Sequence, residues 1–159
     1  IAESFDSKKF PMKFRIDVAM TARLGVELDP SHLQPDQIAE LRDGIEAYKR
    51  LRPLLHSGEV FRGVSPYASD ICTNAVVAAD KSKAVFFAFR TENHDAATEG
   101  KLQVPGLDPA KRYRVSEAHI GKVPHLQPAS FSGRELMEQG LPVSWSSGPE
   151  STVVEIVED

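Results

Sequence analysis

At Gly58 the periodicity of the chain changes, and that change constrains the fold more than any other feature. Before it, Ile38, Leu41, Ile45, Tyr48, Leu51 and Leu55 recur at spacings of three and four. Glu40, Asp43, Glu46, Lys49 and Arg50 fill the other faces, the pattern of an amphipathic helix with one buried stripe. Pro35 suits the first helical turn, Asp36 favours its positive end, and Gln37 stands three residues after Gln34 in an imperfect capping box. Gly58 ends the helix, and Pro53 inside it predicts a kink or a looser last turn after Arg52.

After Gly58 the chain reads as strands. Residues 59–65, 71–80, 83–92, 112–118 and 151–158 are rich in Val, Phe, Ile and Thr, with Gly, Pro, Asp, Asn or Ser between them. Ala79-Asp80-Lys81-Ser82 reads as a tight hairpin turn, and Pro105-Gly106-Leu107-Asp108-Pro109 as a second reversal. Residues 132–140 soften into a short helical turn or an irregular edge. Short strands with no helix between them predict a mainly β fold, an antiparallel β-sandwich.

Upstream, Phe14, Ile16, Val18 and Met20 alternate with Arg15, Asp17 and Ala19, a period of two that predicts a strand over 14–20. Leu24, Val26 and Leu28 continue the alternation until Asp29-Pro30-Ser31 turns the chain. One strand and one helix cannot enclose a core. The expected organisation is therefore an incomplete strand-and-helix unit over 1–57 and a sandwich over 58–159. The first unit carries nine basic and nine acidic residues and the second ten and fourteen, so the formal charge of −4 belongs to the β part.

The near balance of charge gives no basic surface for nucleic acid, and no run approaches the ~20 apolar residues of a membrane span. Neither partner is expected. Cys72 is the single cysteine and lies in an apolar run, which predicts an inert buried thiol. The histidines are His32, His56, His94, His119 and His125, and no two have the i, i+4 spacing of a helical metal pair. No metal and no other cofactor is expected.

Two carboxylates invite a sharper reading. Glu27 and Asp29 would point the same way along an extended chain, roughly 6.5–7 Å apart, the kind of pair glycosidases use. A solvated or salt-bridged strand end before the helix is the expectation. Asp17 is expected to pair with Arg15 or to line a cavity mouth, and His94-Asp95 lies in a polar loop. Trp145, with Tyr67 and Tyr113 as alternatives, is the candidate stacking platform for a sugar ring, although a core role for Trp145 is favoured.

Several runs resemble one family in the right order. Arg15-Ile16-Asp17-Val18-Ala19-Met20 with Leu24-Gly25-Val26-Glu27-Leu28-Asp29 is similar to the end of the catalytic barrel in glycoside hydrolase family 36, the α-galactosidases or melibiases. Tyr48-Lys49-Arg50-Leu51-Arg52-Pro53, then Gly58-Glu59-Val60-Phe61-Arg62 and Ser65-Pro66-Tyr67, resembles its passage into a carboxy-terminal β domain. Asp80-Lys81-Ser82-Lys83-Ala84-Val85, Gly106-Leu107-Asp108-Pro109 and Ser132-Gly133-Arg134-Glu135-Leu136-Met137 with Gly140-Leu141 resemble that domain itself. The chain departs from many members at Ile16-Asp17, Ala22 and Gly63.

The resemblance implies that 14–20 is the eighth strand of a (β/α)8 barrel and 35–55 its eighth helix, with Met20, Thr21 and Ala22 near the floor of a sugar pocket. It implies a parent that hydrolyses terminal α-galactosides through a covalent glycosyl-enzyme intermediate, with both catalytic aspartates on earlier strands. No residue here matches them, so the chain, which starts at Ile1, is expected to be an inactive carboxy-terminal fragment with no catalytic residue of its own. Its partner would be the parent's α-galactoside substrate, with a homo-oligomer as a further expectation. The alternative is a stand-alone carbohydrate-binding or assembly module.

Overall fold

The structure, a computed structural model, describes residues 1, 9–91, 98–119, 121–146 and 148–159. Helix α1 (Met12–Met20) and a short 3-10 turn (Pro30–His32) precede helix α2 (Pro35–Ser57). Strands β1 (Glu59–Arg62), β2 (Ile71–Val77), β3 (Lys83–Arg90), β4 (Thr98–Leu102), β5 (Arg112–Glu117) and β6 (Ala129–Ser132) follow. Helix α3 (Gly133–Glu138) and strands β7 (Leu141–Trp145) and β8 (Glu150–Glu158) complete the fold.

Six strands form one antiparallel sheet in the order β1-β2-β3-β8-β5-β6, and β4 pairs with β7 in a second, two-stranded sheet. The last strand is thus inserted at the centre, with Phe86 opposite Val154 on one side and Val115 opposite Ile156 on the other. Alternation along β3 explains why it reads as an unbroken apolar run. Ala84, Phe86 and Ala88 face a core shared with Leu141, Val143 and Trp145 of β7, whereas Val85, Phe87 and Phe89 face a second core shared with α1 and α2. Two helices, a six-stranded sheet and a two-stranded sheet therefore stack as three layers.

The expected strand over 14–20 is a helix. Met12, Ile16 and Met20 recur at i, i+4 and are buried, as are Lys13 and Asp17. Val18, which a half-buried strand would hide, is 45% exposed, and Asp17, which it would expose, is fully buried. The alternation was genuine but incidental: Met12 and Asp17 belong to the buried stripe, and only a helix puts them there. Residues 22–26 form no regular element, and Glu27 makes a single backbone bridge in which its N–H donates to Ile1 O (2.8 Å).

Helix α2 starts where expected, with the Gln34 N–H donating to Gln37 Oε1 (3.0 Å), and Gly58 is its C-cap. It continues through Pro53 to Ser57, where the Ser57 hydroxyl donates to Pro53 O (2.8 Å). In the 79–82 turn, the Lys81 N–H donates to Ala78 O (2.8 Å) and Lys81 adopts φ +57°. The second reversal uses Gly106 at φ +88°. Tyr113 fastens both turns, donating its hydroxyl to Lys81 O (2.8 Å) and accepting from the Asp108 N–H (3.1 Å). The soft stretch after Ser132 is a short helix with a capping box, in which Glu135 Oε2 accepts from the Ser132 N–H (2.7 Å).

Candidate functional site

Where α1 crosses the sheet, the chain buries a cluster of ionisable groups. One helical turn separates Lys13 from Asp17, so both point toward the sheet. Asp17 Oδ2 accepts from Lys13 Nζ (2.6 Å) and from the Ser151 hydroxyl of β8 (2.7 Å), while Oδ1 meets His119 Nδ1 at 2.5 Å. Lys13 Nζ also donates to Ser151 O (2.7 Å) and lies 3.9 Å from Glu117 Oε1 at the end of β5.

A second histidine extends the cluster. Glu117 accepts from the His125 N–H (2.8 Å) and lies 3.1 Å from His125 Nδ1, and Glu150 Oε2 lies 2.7 Å from His125 Nε2. Both ring nitrogens thus face carboxylate oxygens. The Ser146 hydroxyl holds the other Glu150 oxygen.

Burial alone would push the Asp17 carboxyl up. The Lys13 charge, with the hydrogen bond and charge of His119, outweighs burial and holds it below the usual carboxylate range. Glu40 on α2 goes the other way: burial raises its carboxyl, partly offset by His119, Lys122 and Lys13. His119 Nε2 is buried with no hydrogen-bond partner among the described residues, against α2 at Gly44, where a Cβ would stand 3.3 Å from it. Beside the cluster a cavity of about 540 Å³ is lined by Lys13, Glu40, Lys122, His125, Ser146 and Glu150, among others.

Serine, histidine and aspartate meet here, but not in the order that activates a nucleophile. The Ser151 hydroxyl donates to Asp17 instead of the imidazole, and Ser151 is only 2% exposed. What the arrangement does is tie α1 to β5 and β8 through buried charge.

The residues singled out in the sequence are scattered. Glu27 is exposed, and Asp29, the N-cap of the 3-10 turn, accepts from the Ser31 N–H (2.9 Å), its carboxyl lowered by hydrogen bonding from the Ser31 side chain and then from the Ser31 backbone. Asp17 pairs with Lys13 and His119 instead of the expected Arg15. His56 bonds the Tyr48 hydroxyl (3.1 Å), His32 lies 4.0 Å from Asp29, and His94-Asp95 falls outside the described residues. Cys72 is half-buried beside the helix-facing core, and burial pushes its thiol up. Trp145 and Tyr113 are buried and offer no open face, while Tyr67 is fully exposed. Among the described residues no His, Cys, Asp and Glu group has metal-binding geometry, and no helix is long and apolar enough to cross a membrane.

Sequence reasoning missed Lys13, Glu117, His119, His125, Glu150 and Ser151 as one group. The only local signal is the i, i+4 pair Lys13 and Asp17, which is silent unless the segment is read as a helix.

Comparison with known proteins agrees with this architecture. The model of the glycosyl hydrolase family 36 C-terminal domain matches residues 71–156. "Probable alpha-galactosidase C" of Aspergillus flavus is 31% identical over 148 residues, which are 92% of this chain and 18% of that protein. The crystal structure of the family 36 α-galactosidase AgaB from Geobacillus stearothermophilus superposes with a TM-score of 0.80 at 27% identity, covering 94% of this chain and 20% of that one. A variant of the α-galactosidase AgaA from the same organism, in complex with raffinose, gives 0.78 at 26% identity, covering 91% and 19%. The chain spans about a fifth of the length of the relatives it matches. It belongs to glycoside hydrolase family 36, and residues 71–156 are the carboxy-terminal domain of that family.

Proposed function

We propose that this chain is the carboxy-terminal portion of a retaining α-galactosidase and does not itself carry the chemistry. The observation that carries the reading is the lopsided coverage: 92% of this chain aligns with an α-galactosidase, but only 18% of that enzyme is matched. Residues 1–57 are the last helical part of the catalytic body, and residues 58–159 form the β domain that closes and stabilises it. The substrates are terminal α-galactosides of the kind represented by raffinose, which the AgaA variant binds.

A free-standing sugar-binding module is disfavoured by the burial of Trp145 and Tyr113, which leaves Tyr67 as the fully exposed aromatic among the described residues.

The test is an assay with an aryl α-galactoside. The 159-residue chain is expected to give no turnover above background, and the same chain joined to its upstream coding region to give turnover. Hydrolysis by the chain alone would overturn the reading, as would an inactive full-length product.

A further inference from the structure

The sheet has two cores that do not mix. One lies between the six-stranded sheet and the β4–β7 pair and includes Phe86, Trp145, Val154 and Ile156. The other lies between the same sheet and the helices and includes Ile16, Leu51, Phe87 and Val153. Lifting α1 and α2 away would open the second core and leave the first, with every strand pairing, intact. Gly58, the junction of α2 with β1, is the covalent joint.

Buried charge sits at that same seam. Asp17 faces Lys13 on its own helix, His119 and, through Lys13, Glu117 at the end of β5, Ser151 on β8, and Glu40 on α2. His125 and Glu150 continue the chain of contacts from Glu117. Elsewhere, described ion pairs that join helix to sheet or loop are exposed or half-buried, as in Arg50 with the half-buried Glu155 and Lys122 with Asp36. Exposed pairs contribute little, whereas loss of one member of a buried pair leaves a charge stranded.

We propose that α1 and α2 form a detachable layer of the fold and that Asp17 is the latch holding it to the sandwich, so that the layer opens while the sandwich stays folded. Opening is a sub-global event of the kind that amide exchange resolves. The proposal is independent of the α-galactosidase reading, and its test uses no sugar.

Amide hydrogen exchange of the 159-residue chain at pH 7 is the experiment. In Asp17→Asn, the amides of α1 and α2 are expected to exchange on the order of a hundredfold faster, with those of β3, β5 and β8 unchanged. Ser151→Ala removes one bond to Asp17 without removing charge, and gives the same pattern at about tenfold should Asp17→Asn fail to fold. Wild-type protein taken below the usual aspartate range should show the same selective exchange of the helices, after correction for intrinsic rates. Equal acceleration in helices and strands would mean one cooperative unit and overturn the proposal. Helices that keep their protection in both variants would overturn the role of Asp17.

Discussion

Asp17 and His119 lie 102 positions apart in the chain and meet at 2.5 Å, carboxylate Oδ1 against imidazole Nδ1, at a point where both are almost fully buried. The pair brings the helical layer and the end of β5 to one fixed distance. Because Lys13 and Ser151 share the other carboxylate oxygen, Asp17 is the hub of the cluster.

Asp17→Ala should therefore be costly. It leaves the Lys13 ammonium buried with Glu117 at 3.9 Å as its remaining ion-pair partner among the described residues, and it strips His119 and Ser151 of their acceptor. A loss of about 3–5 kcal/mol is expected from breaking such a pair, read from the urea midpoint and slope. A loss below about 1 kcal/mol would show that the cluster adds no net stability.

Acid should erase the same contribution. The Asp17 carboxyl is lowered in the fold from its ordinary value of 3.8, so its stabilisation is fully present above that value and is lost as pH falls through the lower, folded one. The gap in stability between wild type and Asp17→Asn is expected to be constant from pH 7 to about 5 and to shrink steadily below about 4. Urea unfolding of both proteins across that range checks this, and a gap that does not change with pH refutes it.

Most of the fold was legible because its strands and main helix carry their pattern locally. The stripe from Ile38 to Leu55 and the apolar run of β3 needed no tertiary information. What failed did so for identifiable reasons. In α1, Phe14, Ile16, Val18 and Met20 satisfy a period of two by accident, and the helical stripe of Met12, Ile16 and Met20 is short and interrupted by buried charge. Strand β4 contains Gly100 and Lys101, and β7, although Leu141, Val143 and Trp145 alternate inward, is only five residues long and contains Pro142. They are strands because they pair, Lys101 with Pro142 and Leu102 with Leu141. The charge cluster was invisible because Lys13, Glu117, His125 and Ser151 converge only through the topology.

Gly44 tests how closely the layers approach. A Cβ there would stand 2.5 Å from Ile16 Cγ2 and 3.2 Å from His119 Cε1, on the face of α2 that α1 and the β5 end share. In a helix interior, alanine is worth up to about 1 kcal/mol over glycine, but forcing apart a packed seam costs about 1–3 kcal/mol. Gly44→Ala is expected to lower the thermal midpoint, whereas Gly25→Ala, where nothing lies within 4 Å, should leave it unchanged. Stabilisation by Gly44→Ala would mean that Ile16 yields at little cost.

Trp145 decides between a packing role and a sugar platform. Its indole Nε1 donates to the Thr152 hydroxyl (2.8 Å), and the Arg90 guanidinium sits 5.4 Å from its ring centroid. Arg90 is itself fully buried, and Nη2 donates to Gly148 O (2.8 Å) in the β7–β8 connection. Trp145→Phe keeps an aromatic ring but deprives Thr152 of its donor and opens space in the sandwich core, so a loss of about 1–3 kcal/mol is expected. Combined with Thr152→Val, the double variant should recover about 1 kcal/mol of that loss, since the hydroxyl left unpartnered is then gone as well. Galactose or raffinose titrated into the chain should leave the tryptophan emission unchanged. A saturable change in that emission would reassign Trp145 to a binding surface.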